Sequence, residues 1–366
     1  MASFDVLVIG GGPAGATSAL LLARAGRTVA LIEKAAFPRR KVCGEYIAPP
    51  AISILHSFGI PLEPRVRRIA VWANNRALQA PLPAPYASTL AREDLDTVLL
   101  EKAREAGATV FQPLKALALE KSSSGLICKT ESVEIEARTV IAAHGSWEPG
   151  ALPTQHRRGE PKASDLLAFK AHFRGAAFDA HTIALVPFLG GYGGVLQLDD
   201  GRATFACCLR RDALEALREP AVAAGESVFR HALLASTEFK KSFENAKLEG
   251  SWLASGPLRA GSRPLYRDGI FAAGNAAGEV HPLIGSGISM ALRSASLLSP
   301  LLDAALQGRA TYAETARIYE AQWRREFARR LWWSTWFARL ASRQSRAAAL
   351  VARAPWILTL AAKVSS

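Results

Sequence analysis

Six residues, Gly10-Gly11-Gly12-Pro13-Ala14-Gly15, constrain this chain more than any other segment. They follow Asp5-Val-Leu-Val-Ile9, an apolar β-branched run that reads as a strand buried on both faces of a parallel sheet. They precede Ala16 to Ala25, which suits a helix ended by Gly26, and Thr28 to Ile32 then reads as a second strand. In that setting the GxGxxG spacing has a physical purpose. Gly10 allows a tight turn, Gly12 lets backbone approach a pyrophosphate, and Gly15 lets helix and strand pack closely. The helix start at Pro13 and Ala14 offers amides and a partial positive charge to phosphates. Glu33, ending the second strand, stands where ribose hydroxyls are expected. These features predict a dinucleotide-binding βαβ unit, but the turn alone does not choose the dinucleotide.

With 366 residues the chain has room for two connected domains. Its cysteines, Cys43, Cys128, Cys207 and Cys208, form no CxxC pair and lie near no histidine at metal spacing. Neither a disulfide framework nor a metal site is expected, and a cytoplasmic setting fits. The first residues lack a basic n-region and no apolar run reaches the length of a membrane span, so neither export signal nor spanning helix is expected. The net charge of +13 is concentrated late: from Arg309 to Ser366, eleven Lys and Arg face three Glu. No nucleic-acid recognition motif accompanies that charge, so nucleic acid is not expected as a partner.

Further along, Arg92 to Ala106 reads as a helix with Leu95, Val98, Leu99 and Ala103 on one stripe. Thr139 to Ala143 reads as another buried parallel strand. The character changes between residues 165 and 255. Leu166–Phe173, Thr182–Leu189, Tyr192–Leu198 and Ala203–Leu209 read as antiparallel strands, with helical stretches near 212–217 and 221–234. Ile270 to Ala273 is a short strand, and a long helix is expected from about Ile288 to Leu306. Cys207 and Cys208, adjacent on a strand, must point to opposite faces and are expected in the core.

The segments Gly274-Asn-Ala-Ala-Gly278 and Pro282-Leu-Ile-Gly-Ser-Gly-Ile288 resemble the glutathione-reductase-like FAD superfamily. Within it, the chain resembles geranylgeranyl reductases and the related single-component aromatic hydroxylases. Three more stretches carry the likeness: Arg39-Arg-Lys-Val-Cys-Gly-Glu45, Arg92-Glu-Asp-Leu-Asp96, and Ala143-His-Gly-Ser146. The resemblance implies an α/β fold with a Rossmann-like FAD-binding domain (GR2-type, three-layer) and an interleaved, mostly antiparallel β-sheet substrate domain. A C-terminal helical tail follows. The implied division is 1–70, 88–160 and 256–308 for the FAD domain, 71–87 and 161–255 for the substrate domain, and 309–366 for the tail.

The resemblance also implies a cofactor set. It comprises Gly10, Gly12, Pro13, Ala14, Gly15, Glu33, Lys34, Arg40, Cys43, Gly44, Arg92, Gly274, Asn275, Pro282, Gly285, Gly287 and Ile288. Asn275 stands where the family usually has an acid on the ribitol chain. His144 stands where the hydroxylases have an aspartate linked to NADPH, which points to reductase-like members. A halogenase-type tryptophan-x-tryptophan signature is absent, Trp147-Glu148-Pro149 being its nearest approach.

Cys43, Glu45 and His281 are the catalytic candidates, and Tyr192, in Gly190-Gly-Tyr-Gly-Gly194, the candidate for lining the substrate cavity. Glu45 reads either as a proton donor or as a structural carboxylate paired with Arg40 or Lys41. The expected activity is FAD-dependent reduction of C=C bonds in a hydrophobic, isoprenoid- or polyketide-like substrate. NAD(P)H or a protein donor would supply electrons. Alternatives are NAD(P)H-dependent hydroxylation of an aromatic or polyketide compound, and a non-catalytic flavin-binding adaptor. In the tail, Trp323, Phe327, Leu331, Trp333, Phe337 and Leu340 fall broadly on one side of a helix, with Arg324, Arg325, Arg329, Arg339, Arg343 and Arg346 mostly on another. That pattern reads either as a helix lying on the inner membrane surface or as a lid on the active site.

Overall fold

The computed structural model describes residues 2–146, 152–155 and 160–341, and of residues 333–341 the helical backbone only. The chain opens with β1 (Ala2–Ile9), α1 (Pro13–Arg24) and β2 (Val29–Ile32), then crosses to the hairpin β3 (Arg68–Ala73) and β4 (Arg76–Pro81). Helix α2 (Arg92–Glu105) leads to β5 (Thr109–Phe111) and to β6 (Ala116–Lys121), β7 (Leu126–Thr130) and β8 (Glu134–Ala142). Four strands follow: β9 (Leu166–Arg174), β10 (Thr182–Phe188), β11 (Gly191–Gln197) and β12 (Ala203–Arg210). After α3 (Ala224–Ala235) and α4 (Thr237–Ser242) come β13 (Lys247–Leu258), β14 (Tyr266–Arg267) and β15 (Ile270–Ala272). The long helices α5 (Gly287–Leu306) and α6 (Tyr312–Ala341) close the described chain.

Two large sheets result. The first runs β14-β15-β8-β1-β2-β5, with β6 and β7 attached as a meander at β8. Its centre is parallel, Val8 pairing with Ile141 on one side and Leu31 on the other. Both faces of that centre are covered, which is why Val6 to Ile9 and Val29 to Ile32 read as unbroken apolar runs. One core cluster joins α1, α2 and α5 to the sheet, and a second packs the other face against the meander. The expected three-layer α/β fold is observed.

The second sheet runs β13-β9-β12-β11-β10-β3-β4 and is antiparallel except between β10 and β3. Its outer face packs on α3 and α4 through Phe173, Phe205, Phe229, Phe239, Phe243 and Trp252. Its inner face looks toward the first sheet. Cys207 joins the outer core and Cys208 the inner face, so adjacent cysteines do point apart, yet only one is buried in the aromatic cluster.

Helix α6 shows where the described part of the expected amphipathic tail packs. Tyr319, Trp323 and Phe327 are fully buried in the same cluster as α1 and α5, and the Tyr319 hydroxyl donates to the Ala272 carbonyl at 3.0 Å. Aromatic side chains that the sequence offers to a membrane are here spent on the protein's own core. Trp332 is exposed. The side chains of Trp333, Phe337, Leu340 and Arg339, together with Arg343 and Arg346, lie outside the described residues, as do Trp147, Glu148 and Pro149. No helix among the described residues is long and apolar enough to cross a membrane.

Candidate active site

A cavity of about 600 Å³ lies between the two sheets. The glycine turn forms one wall. A Cβ on Gly10, whose φ is +107°, would sit 2.6 Å from the Ala143 carbonyl oxygen, and one on Gly15 only 1.8 Å from the Gly10 oxygen. These two glycines therefore let β1, β8 and α1 meet backbone to backbone. Gly12 differs, because a Cβ there would meet nothing nearer than an Arg92 nitrogen at 3.9 Å. Its backbone faces the cavity, as a pyrophosphate requires.

Glu33 is buried on the cavity wall and accepts hydrogen bonds from Gly11 N (2.8 Å) and Ala35 N (2.9 Å). The arginine beside it is Arg39, 3.3 Å away, the first residue of the Arg39–Glu45 stretch and one that the expected cofactor set leaves out. Lys34, expected to hold the cofactor, is exposed and contributes nothing to the cavity wall. Arg40 does reach the cavity edge, but its guanidinium is turned toward Glu93 (3.1 Å) and Glu249 (3.2 Å). Neighbours along an irregular loop point in different directions, and no periodicity reports which. Arg92 donates two hydrogen bonds to Asp96 at 2.8 and 2.7 Å, and Asp96 reinforces its positive charge against burial.

Gly274, Asn275, Pro282, Gly285, Gly287 and Ile288 also line the cavity, Gly274 lying against Ala14 of the glycine turn. Gly285 has φ +68°, the left-handed geometry that turns the chain into α5. Gly287 starts that helix, and Gly287 and Ile288 bring its positive end to the cavity wall. The Asn275 amide donates to Glu279 at 3.4 Å, and Ser146 donates to the same carboxylate oxygen at 3.1 Å. Burial raises the Glu279 pKa, while Arg263 opposes that shift.

The catalytic candidates fare differently. Cys43 is half-buried and lines the cavity; its sulfur accepts from Glu45 N at 3.4 Å and stands beside Arg92. All four cysteines are free thiols. Glu45 is a structural carboxylate. It has no exposed surface, and its oxygens accept from His172 (2.7 Å), Thr204 (2.6 Å), Arg92 N (2.9 Å) and Lys170. Burial alone would raise its pKa, but His172 and Lys170 together hold it down to about 2. It therefore keeps no proton to donate, and its partners are neither Arg40 nor Lys41.

His281 also moves role. It is buried behind the cavity wall, with its pKa lowered by burial to about 4. Its Nδ1 lies 3.4 Å from the Leu283 amide, which can only donate, so the Tyr192 hydroxyl 3.1 Å away donates to that nitrogen too. Tyr192, not His281, meets the cavity. Burial raises the Tyr192 pKa well above that of an ordinary phenol.

The glycine cradle, the carboxylate of Glu33 and the start of α5 fit FAD, and the comparisons decide the family. An FAD-binding domain model matches residues 3–332. The chain belongs to this FAD-binding family. It is an FAD-dependent oxidoreductase. It is 28% identical to a menaquinone reductase of Mycobacterium tuberculosis over 82% of this chain and 77% of that one. It is also 28% identical to digeranylgeranylglycerophospholipid reductase 2 of Methanothermobacter thermautotrophicus, over 90% of this chain and 85% of the relative. Among solved structures the fold is similar to that of the myxobacterial chondrochloren halogenase CndH, with a TM-score of 0.77. That match has 23% identity and covers 89% of this chain and 80% of the halogenase.

Proposed function

We propose that this protein uses FAD to reduce C=C bonds in an apolar, isoprenoid-like substrate, with NAD(P)H or a protein as electron donor. The observation that carries the reading is the continuity of the cavity. Beyond the glycine turn the same space is walled by Ile69, Val71, Leu82, Ile183, Leu185 and Leu196 from the inner face of the second sheet. An alkyl or prenyl chain buried there loses about 25 cal/mol per Å² of contact with water, and only apolar ligands gain from such a wall.

FAD, when bound, supplies the hydride chemistry. The chain's residues supply the rest. Tyr192 stands at the wall with its hydroxyl proton committed to His281, so its oxygen can accept a hydrogen bond from a substrate hydroxyl. The names of the two reductase relatives, one acting on menaquinone and one on a digeranylgeranyl lipid, favour the same substrate class.

The test is anaerobic. Protein reduced by NADPH or dithionite should be reoxidised by a geranylgeranyl-bearing lipid or by menaquinone, with loss of one double bond per turnover. No anaerobic reoxidation by either lipid, with oxygen incorporated into an added aromatic compound once O₂ is admitted, would replace this reading with hydroxylation.

A further inference from the structure

Helix α2 has no side-chain cap of its own, because Ala91 occupies the N-cap position. The cap comes from a loop some fifty residues earlier: Glu45 accepts the Arg92 amide at 2.9 Å. A carboxylate at that end also faces the favourable pole of the helix dipole. Glu45 itself needs holding, since its φ of +59° places a non-glycine residue in left-handed backbone. The hold comes from the other sheet. Lys170 and His172 on β9, and Thr204 on β12, converge on its two oxygens.

The cage is anchored outward and inward. Arg202 lies 3.3 Å from His172 Nδ1 and can only donate, which leaves the ring proton on Nε2 facing Glu45. Arg202 is itself held by Glu93 and Asp200 at 2.5 Å each. Inward, Arg92 binds Asp96, Asp96 lies 3.9 Å from Arg39, and Arg39 meets Glu33, which accepts the Gly11 amide at 2.8 Å. One polar chain thus runs from the second sheet to the glycine turn.

We propose that Lys170 and His172 are positioning residues for the cofactor: by fixing Glu45 they cap α2 and set Arg92 against the glycine turn. Neither residue lines the cavity, so their effect on FAD is indirect. A buried ion pair is a poor device for stability alone, because well-packed apolar residues of similar size do as well or better. Apolar residues could not accept the Arg92 amide. That acceptor is what the ion pair maintains.

The test is FAD affinity, read by quenching of flavin fluorescence between about pH 5 and 8, beside thermal unfolding of the same apoproteins. The charged groups around Glu45 are Lys170 and His172 from β9 and Arg92 and Asp94 from α2; Arg202, just before β12, lies behind His172 with Glu93, Glu249 and Arg40 beyond it. Lys170→Met should weaken FAD binding about tenfold or more near pH 8 and recover toward pH 5, as Glu45 regains a proton. Lys170→Arg should stay within about threefold of wild type, and both profiles should be flat. The double variant Lys170→Met/Glu45→Gln keeps an acceptor for Arg92 without the stranded charge. It should bind FAD more tightly than Lys170→Met near pH 8, with a flat profile. A Lys170→Met protein that unfolds more easily but binds FAD with unchanged, pH-independent affinity overturns the proposal. If Lys170→Met does not fold, the double variant decides: a folded double variant unable to bind FAD overturns it equally.

Discussion

Gly193 and Gly194 are adjacent on β11, and the structure assigns them opposite consequences. A Cβ on Gly193 would sit 2.4 Å from Phe205 Cε2 and 3.0 Å from its Cζ. That ring cannot yield, because Phe239 stacks on it at 5.2 Å and Phe229 and Trp252 close in at 5.4 and 6.3 Å. Overpacking such a site costs about 1–3 kcal/mol, offset by about 0.4–1 kcal/mol from the stiffer unfolded chain. The net cost of up to about 2.6 kcal/mol, spread over the unfolding entropy of a 366-residue chain, should lower the melting temperature of Gly193→Ala by roughly 1–3 °C.

At Gly194 the nearest atom to a Cβ is the Ala206 oxygen at 3.8 Å, and the position faces the cavity. Gly194→Ala should be neutral or slightly stabilising in thermal unfolding. Gly194→Val should leave FAD affinity unchanged while crowding a bound substrate. A 1–3 kcal/mol loss there raises KM roughly five- to 150-fold. Equal destabilisation by Gly193→Ala and Gly194→Ala would refute the assignment of faces. A Gly194→Val variant that loses FAD instead of substrate would place the apolar wall in the wrong part of the cavity.

Three other perturbations follow from the same geometry. Trp323→Ala removes a fully buried ring that lies against Gly278 and Phe327, and should cost about 3–5 kcal/mol in denaturant unfolding; a loss under about 1 kcal/mol would detach α6 from the core. Asn275→Asp sets a second carboxylate within 3.4 Å of Glu279, so stability near neutral pH should fall on the order of 2 kcal/mol and recover on acidification; a more stable variant would contradict the cluster. His281, with a folded pKa of about 4 against 6.5 unfolded, binds fewer protons folded than unfolded in that interval. Its contribution is complete above pH 6.5, is lost as pH falls toward 4, and amounts to roughly 3 kcal/mol, so His281→Gln should flatten the acid limb of the stability curve there. Glu45 acts lower, between 4.5 and about 2, and its loss should remain in that variant.

The parts of this molecule legible in its sequence are those decided by neighbours along the chain. The glycine turn is readable because the requirement at Gly10 and Gly15 is backbone approach, which removes every side chain whatever the rest of the protein does. The strands of the second sheet are readable because alternation follows from the pleat. That alternation also held an unused signal: Ala168, Lys170 and His172 share one face of β9, while Phe169, Ala171 and Phe173 take the aromatic core. Two bases at i and i+2 inside an apolar strand require a buried anion. Their anion is Glu45, 125 and 127 residues away, and no local pattern could name it. The tail was illegible for another reason. An apolar stripe specifies burial but not the burying medium, and Trp323 finds protein where a membrane would have served its surface equally well.

Asn275 shows how a departure from a family pattern becomes intelligible only in three dimensions. Taken singly, it replaces an acid with an amide and weakens the expectation of a ribitol contact. The turn through Gly274–Ala276 and Gly278–Glu279, however, brings residue 279 back beside residue 275. Glu279 is buried on the cavity wall, with Ser146, Arg263 and the Arg259 amide on its oxygens. A carboxylate at both positions would put two like charges in contact at low dielectric, so an acid at 279 requires a neutral donor at 275. The pair keeps one negative charge on this wall, displaced by four residues. Exchanging the two, as Asn275→Asp with Glu279→Gln, should therefore restore much of what Asn275→Asp alone removes, and simple additivity of the two changes would show that they do not share a charge.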